Sequence, residues 1–157
     1  MQNILDLTFD FEDGICASIH NGQEAILCSP KSDSKSCWTY NGTLMRPTLA
    51  LKNAHDRGGV VEAYGKILAL AGPNTKVEEL AEKSWSNVGD MTLALGRAHK
   101  YQSFSVVSMA NRVLTFGGFV GGGHDESNNV YQMDLDTYEW SKFRKCSNRT
   151  LKLDITL

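Results

Sequence analysis

The chain repeats itself, and this repeat restricts its possible folds more than any other feature of the sequence. Residues 59–72 align without a gap on residues 105–118, at an offset of 46. Each copy reads as a β-branched run, a short polar turn, a second apolar run and then glycine. Such runs around turn residues that tolerate positive φ are typical of β-hairpins. The sequence therefore predicts two equivalent hairpins.

A more divergent third copy precedes these two. Residues 25–28 fall on residues 67–70 at an offset of 42, and the turn between its strands contains Asn21-Gly22. Further short apolar segments follow the hairpins, at residues 37–40, 76–80, 84–86, 130–133 and 138–143. A period of 42 to 46 residues that holds four short strands predicts one four-stranded sheet for each repeat.

The first two strands of these repeats are nearly continuous apolar runs, which suit sheets that are covered on both faces. Four-stranded sheets that cover one another in this way are the blades of a β-propeller. We therefore expect an all-β fold of antiparallel four-stranded blades, with about three repeats at residues 14–45, 57–91 and 103–143. Residues 1–13 are expected to lead into the first blade, and residues 144–157 to form a tail or begin a further strand.

The third copy resembles the kelch repeat family. The Gly117-Gly118 pair ends its second strand, Tyr131 lies in its third strand and Trp140 in its fourth, and an Arg-Ala-His stretch at residues 97–99 precedes its first strand. The resemblance implies a structural role in the blades for a set of glycine and aromatic residues, namely Gly72, Trp85, Gly117, Gly118, Tyr131 and Trp140.

The other two copies depart from the kelch pattern. The second has Ala71 in place of the first glycine and Glu78 in place of the tyrosine, while Trp85 is kept. The first copy has no glycine pair, and its Trp38 stands near the tyrosine position.

Three blades are fewer than the roughly four to eight that close a propeller. The favoured interpretation is a fragment of a longer propeller, which the remaining blades would complete. Two alternatives stay open: two chains could associate into six blades, or the repeats could form another antiparallel β assembly.

Composition and charge exclude several classes of function. The chain has 16 basic and 18 acidic residues and a net charge of −2, so a strongly basic nucleic-acid-binding protein is a poor interpretation. No apolar run approaches the roughly 18 residues of a membrane span, and residues 1–14 lack the features of a signal peptide. We expect neither nucleic-acid binding nor a membrane-embedded segment.

The four cysteines give no zinc-binding spacing, so we expect no metal site. Four unpaired thiols are the favoured interpretation, because free cysteine is among the residues most often buried. Cys28 and Cys37 are nine residues apart and could instead close a small loop. The first case favours a cytoplasmic protein and the second an extracellular one.

In a blade array, the loops from second to third strands and the connections between blades open on one rim. The resemblance to kelch propellers implies that partners bind there. The corresponding segments are residues 29–35, 45–57, 73–75, 91–103 and 119–129. The candidate partner-binding residues are charged or histidine side chains in these segments, namely Arg46, His55, Arg57, Arg97, His99, His124 and Asp125. The two histidines at corresponding places, His55 and His99, also suit a packing role.

No catalytic motif is present. The glycine run at residues 121–123 lacks the spacing and the following Lys-Ser/Thr of a phosphate-binding loop. The sequence therefore favours a non-catalytic, kelch-like module that binds a protein partner and needs no cofactor. The resemblance leaves two alternatives, part of a propeller enzyme acting on sugars and a structural fragment of a longer adaptor such as a ubiquitin-ligase substrate receptor.

Overall fold

The described residues form an array of three four-stranded antiparallel sheets, as the repeat predicted. The computed structural model describes residues 16–20, 22–28, 35–96, 98, 100–121 and 126–145. The first blade contains β1 (Cys16–His20), β2 (Glu24–Cys28), β3 (Cys37–Tyr40) and β4 (Met45–Pro47). The second contains β5 (Gly59–Ala63), β6 (Lys66–Leu70), β7 (Lys76–Leu80) and β8 (Trp85–Asp90).

The third blade is built in the same way from β10 (Ser105–Met109), β11 (Arg112–Phe116), β13 (Asn129–Asp134) and β14 (Trp140–Lys145). Two short strands, β9 (Tyr101–Gln102) and β12 (Phe119–Val120), pair with each other outside the blades. No described residue belongs to a helix that is long and apolar enough to cross a membrane.

Strand registers confirm that the second and third blades are copies of one unit. Leu68 lies opposite Glu79 in the second blade, and Leu114 lies opposite Gln132 in the third. In both of these blades the fourth strand has one extra residue, Val88 or Phe143, opposite the step that precedes Glu78 or Tyr131. Glu78 therefore occupies the position of the kelch tyrosine.

The core lies between successive blades. One cluster joins Ile26 of the first blade to Val60 and Trp85 of the second. A second cluster joins Leu68 of the second blade to residues of the third, including Trp140. Burial of each large apolar side chain contributes about 1.5–3 kcal/mol. The middle blade is thus covered on both faces, which explains the apolar run at residues 67–70.

The glycines that end the second strands are required by close backbone approaches. Gly118 has a φ of +79°, and a Cβ there would lie 2.6 Å from the Gln102 carbonyl oxygen. Gly72 is equivalent, with a φ of +105° and the Asp56 carbonyl oxygen 2.7 Å from such a Cβ. At Gly117 a Cβ would meet nothing within 4 Å, and its equivalent Ala71 adopts the same left-handed conformation. The second blade can therefore replace the first glycine of the pair but not the second.

The interpretation of four unpaired thiols is wrong for two of the cysteines. Cys28 and Cys37 form a disulfide, with their sulfur atoms 2.08 Å apart. They lie directly opposite each other on β2 and β3, in the register that Leu70 and Val77 occupy in the second blade. The disulfide thus replaces a buried apolar pair that faces the next blade.

Because this bond closes a short loop, its reduction is expected to lower the free energy of unfolding by about 2–3 kcal/mol. Thermal unfolding with and without reductant measures this loss, and a Cys28→Ala/Cys37→Ala variant should not respond to reductant. Alkylation of the unreduced, denatured chain should leave both cysteines unlabelled; their quantitative labelling would contradict the pairing.

Candidate partner-binding rim

Backbone hydrogen bonds bring the blade connections and the second-to-third-strand loops together at one end of the array. Gly72 N–H donates to the Tyr101 carbonyl at 2.8 Å, and Ser103 N–H donates to the Arg57 carbonyl at 2.6 Å. Met91 N–H donates to the Thr75 carbonyl at 2.8 Å. The segments that the sequence assigned to one rim are therefore neighbours where the structure describes them. We call residues 48–58 the first connection and residues 91–104 the second connection.

A buried carboxylate fixes the first connection. The Glu78 side chain has no solvent exposure. Its Oε2 accepts a hydrogen bond from the Lys52 backbone N–H at 2.8 Å, and its Oε1 accepts one from the Asn53 N–H at 2.6 Å. The Asn53 side-chain amide adds a third bond to Oε1 at 2.7 Å. Both carboxylate oxygens therefore hold the loop.

His55 completes this network from inside the rim. Its Nδ1 lies 2.6 Å from the Ala71 carbonyl oxygen and its Nε2 lies 3.2 Å from Glu78 Oε1. The ring therefore bridges the Ala71 carbonyl just after β6 and the Glu78 carboxylate, and both side chains are buried.

The surroundings of Glu78 decide its charge state. Burial acts to raise the pKa of this carboxyl group, but the hydrogen bonds from His55, Lys52 and Asn53 outweigh burial and hold the pKa below its ordinary value. Glu78 is therefore ionised at neutral pH, and each of its donors binds a full negative charge.

Two further side chains hold the first connection. The Trp85 indole N–H donates to the Leu49 carbonyl at 2.9 Å, and the Asn74 amide donates to the Ala54 carbonyl at 2.5 Å. The first connection is thus fixed at both ends and in its middle, although it contains no strand.

The second connection begins at an equally well-bonded carboxylate. Asp90 accepts hydrogen bonds from Thr92 N–H at 2.8 Å, from the Thr75 hydroxyl at 2.7 Å and from Lys76 Nζ at 2.6 Å. Partial burial acts to raise the pKa of Asp90, but the hydrogen bonds from Lys76, Thr92 and Thr75 hold it well below its ordinary value. This carboxylate therefore fixes the start of the turn at residues 91–96.

Several exposed side chains stand on this fixed backbone. Leu93 is 93% exposed on the second connection, and Leu49 is exposed on the first. Three basic residues are also exposed, namely Lys52, Arg57 and Lys100. The described parts of the first and second connections thus combine isolated apolar side chains with positive charge.

The candidate residues proposed from the sequence have different places in the structure. Arg57 is an exposed rim residue, whereas Arg46 is exposed on β4, the outermost strand of the first blade. His55 is buried, so its assignment as a partner-contacting residue is wrong, and it positions the first connection instead. Four candidates lie outside the described residues, namely Arg97, His99, His124 and Asp125.

The residues that organise the rim were partly missed by sequence reasoning. Glu78 was noted only as a departure from the kelch tyrosine, and neither Asn53 nor Leu93 was singled out. A carboxylate in a strand that is otherwise packed between blades was the available signal, because such a group needs donors from elsewhere in the chain.

Comparisons with known proteins agree with the blade array. Residues 101–147 match the kelch motif, which covers the third blade. A propeller structure described as YjhT superposes with a TM-score of 0.69 at 11% sequence identity, over 85% of this chain and 52% of that one. At this identity the likeness concerns the fold alone, and the chain spans about half the length of that protein. No curated protein sequence matches significantly.

Glu78→Gln tests the rim network. Since it removes the buried charge to which the Lys52 and Asn53 donors bond, we expect the free energy of unfolding at pH 7 to fall by about 3 kcal/mol. Glu82→Gln is the matched control, because Glu82 is exposed in the turn of the same blade. Urea denaturation of the three proteins measures both changes, and equal stabilities of the two variants would contradict the network.

The stability difference between the wild type and Glu78→Gln should depend on pH. A carboxyl group whose pKa is lowered by folding stabilises the protein at pH values above its pKa in the unfolded chain, which is about 4.3 for Glu. This stabilisation is lost as the pH falls through the pKa of the folded state. The stability difference between the wild type and Glu78→Gln should therefore shrink between pH 5 and about pH 3. A difference that is constant over this range would show that Glu78 is not held ionised.

Proposed function

Since its third blade is a kelch repeat and its sheets stack as propeller blades, we propose that this chain is a non-catalytic module that binds a protein partner through its rim. The observation that carries the proposal is the fixed first connection, which presents exposed side chains from a backbone held by Glu78. Binding residues are often found on loops that a rigid scaffold positions.

The exposed rim residues indicate the chemistry of the partner. Lys52, Arg57 and Lys100 offer positive charge, and the planar guanidinium of Arg57 suits a carboxylate. Leu49 and Leu93 offer apolar anchors beside these charges. A partner segment that combines acidic and apolar side chains complements this surface. Because the loop is already ordered, binding costs little conformational entropy.

The disulfide between Cys28 and Cys37 supports an oxidising compartment, where such bonds form and persist. In this proposal the partner is an extracellular or cell-surface protein. This location replaces the cytoplasmic one, which was expected on the assumption of unpaired cysteines. The reduction and alkylation experiment above tests the pairing on which this inference depends.

The alternative of a propeller enzyme acting on sugars would need carboxylates or metal ligands that are open to a substrate. One buried carboxylate at the rim, Glu78, is already occupied by donors from the loop and from His55. This occupation supports a binding role for the rim over acid–base chemistry at Glu78. A structural role in a longer adaptor is compatible with the same rim.

A charge-reversal variant of the rim, Lys52→Glu/Arg57→Glu, tests the proposal. We expect it to lose partners that the wild-type chain captures from extracellular protein extracts. Capture by the wild type should also weaken as the salt concentration rises, because exposed charges are screened.

The matched control is Lys83→Glu/Lys142→Glu, which makes the same change in charge at exposed residues away from the rim. It should retain the partners. Equal loss in both variants, or no loss in the rim variant, would contradict the proposal.

A further inference from the structure

The contact between the second and third blades includes a cluster of polar side chains away from the rim, formed by Lys66, Glu79 and Tyr138, which we call the socket. Lys66, at the start of β6, donates from Nζ to the Leu135 carbonyl at 3.1 Å and to the Tyr138 hydroxyl at 2.7 Å. The Tyr138 hydroxyl in turn donates to Glu79 Oε2. The turn between β13 and β14 is thereby pinned onto the face of the second blade.

The third blade carries the same socket on its other face. By register, Arg112 corresponds to Lys66, Gln132 to Glu79 and Ser141 to Ser86. These side chains are already connected: Arg112 donates to Gln132 Oε1 at 3.2 Å, and Gln132 Nε2 donates to the Ser141 hydroxyl at 3.1 Å. They line a groove of about 310 Å³.

Apolar side chains accompany the groove. In the second blade, Val61 and Ala63 are 7% and 1% exposed in the core shared with the third blade. Their equivalents in the third blade, Val107 and Met109, are 44% and 55% exposed. The exposed face of the third blade thus has the same two features by which the second blade contacts the third, namely a polar socket and an apolar strand.

The first blade presents the complementary face. Tyr40 lies opposite Met45, in the register of Met133 and Trp140 of the third blade. Met133 is 0% exposed against the second blade, whereas Tyr40 is 40% exposed. The Tyr40 hydroxyl donates to the Gly42 carbonyl at 2.8 Å, which places a phenolic oxygen on the turn between β3 and β4. That oxygen can still accept a hydrogen bond, as Tyr138 does from Lys66.

We propose that the groove at Arg112 is a docking site for the first blade of a second copy of this chain, with the turn at residues 41–44 seated in it. Arg112 would donate to this turn as Lys66 donates to the turn that carries Tyr138. Two head-to-tail contacts of this kind close six blades, within the range that propellers adopt. The aligned propeller, of which this chain covers 52%, is consistent with a closed ring of more than three blades.

Light scattering on the purified 157-residue chain tests the proposal. We expect twice the 17.3 kDa mass of one chain. Arg112→Glu should raise the dissociation constant at least tenfold, and Leu44→Asp on the exposed turn of the first blade should do the same. Lys142→Glu, a charge reversal outside the groove residues on the same strand as Ser141, should leave the mass unchanged. Circular dichroism checks that each variant is folded.

Mixing the two variants distinguishes this arrangement from other dimers. An Arg112→Glu chain and a Leu44→Asp chain together retain one intact head-to-tail contact, so the mixture should associate more strongly than either variant alone. A contact between identical surfaces would give no such recovery. A monomeric wild type, or a dimer that tolerates Arg112→Glu, would overturn the proposal, and a monomer would leave another blade-bearing chain as the occupant.

Discussion

The buried Glu78 carboxylate is the interaction on which the rim depends. An ionised group without solvent exposure is costly unless donors surround it, and here the donors are two loop amides, the Asn53 side chain and His55. The same bonds that solvate the charge immobilise the connection between the first two blades. The first connection is therefore ordered without regular secondary structure, as a binding surface made of loops requires.

Stacking explains the rest of the fold. Each blade is a thin sheet whose two faces are both apolar, so it becomes stable only by covering its neighbours. The middle blade achieves this on both sides, through Trp85 toward the first blade and Leu68 toward the third. The end blades repeat these interacting positions with exposed residues such as Tyr40 and Met109. The hydrogen bonds between Lys66 and the turn that carries Tyr138 fix the relative position of the second and third blades, which apolar packing alone would not specify.

Much of the architecture follows from the sequence because the repeat preserves spacing. The glycine positions, the third-strand tyrosine and the fourth-strand tryptophans predicted the blades and their order, and the structure confirms them. Residue types alone could not predict the disulfide, because only the register of β2 and β3 places Cys28 opposite Cys37. The role of Glu78 was hidden for a similar reason: its partners lie about 25 residues earlier in a loop without a pattern of its own. His55 has the residue type of a ligand, and only its burial shows that it supports the loop.

Hydrogen–deuterium exchange at the Lys52 and Asn53 amides tests the central claim most directly. These amides lie in a loop, where exchange is ordinarily fast, yet both donate to a buried carboxylate. In the wild type they should exchange as slowly as amides in the adjacent strand β5, and in Glu78→Gln they should exchange at least tenfold faster. Exchange in the wild type at the rate of an unprotected peptide would contradict the account.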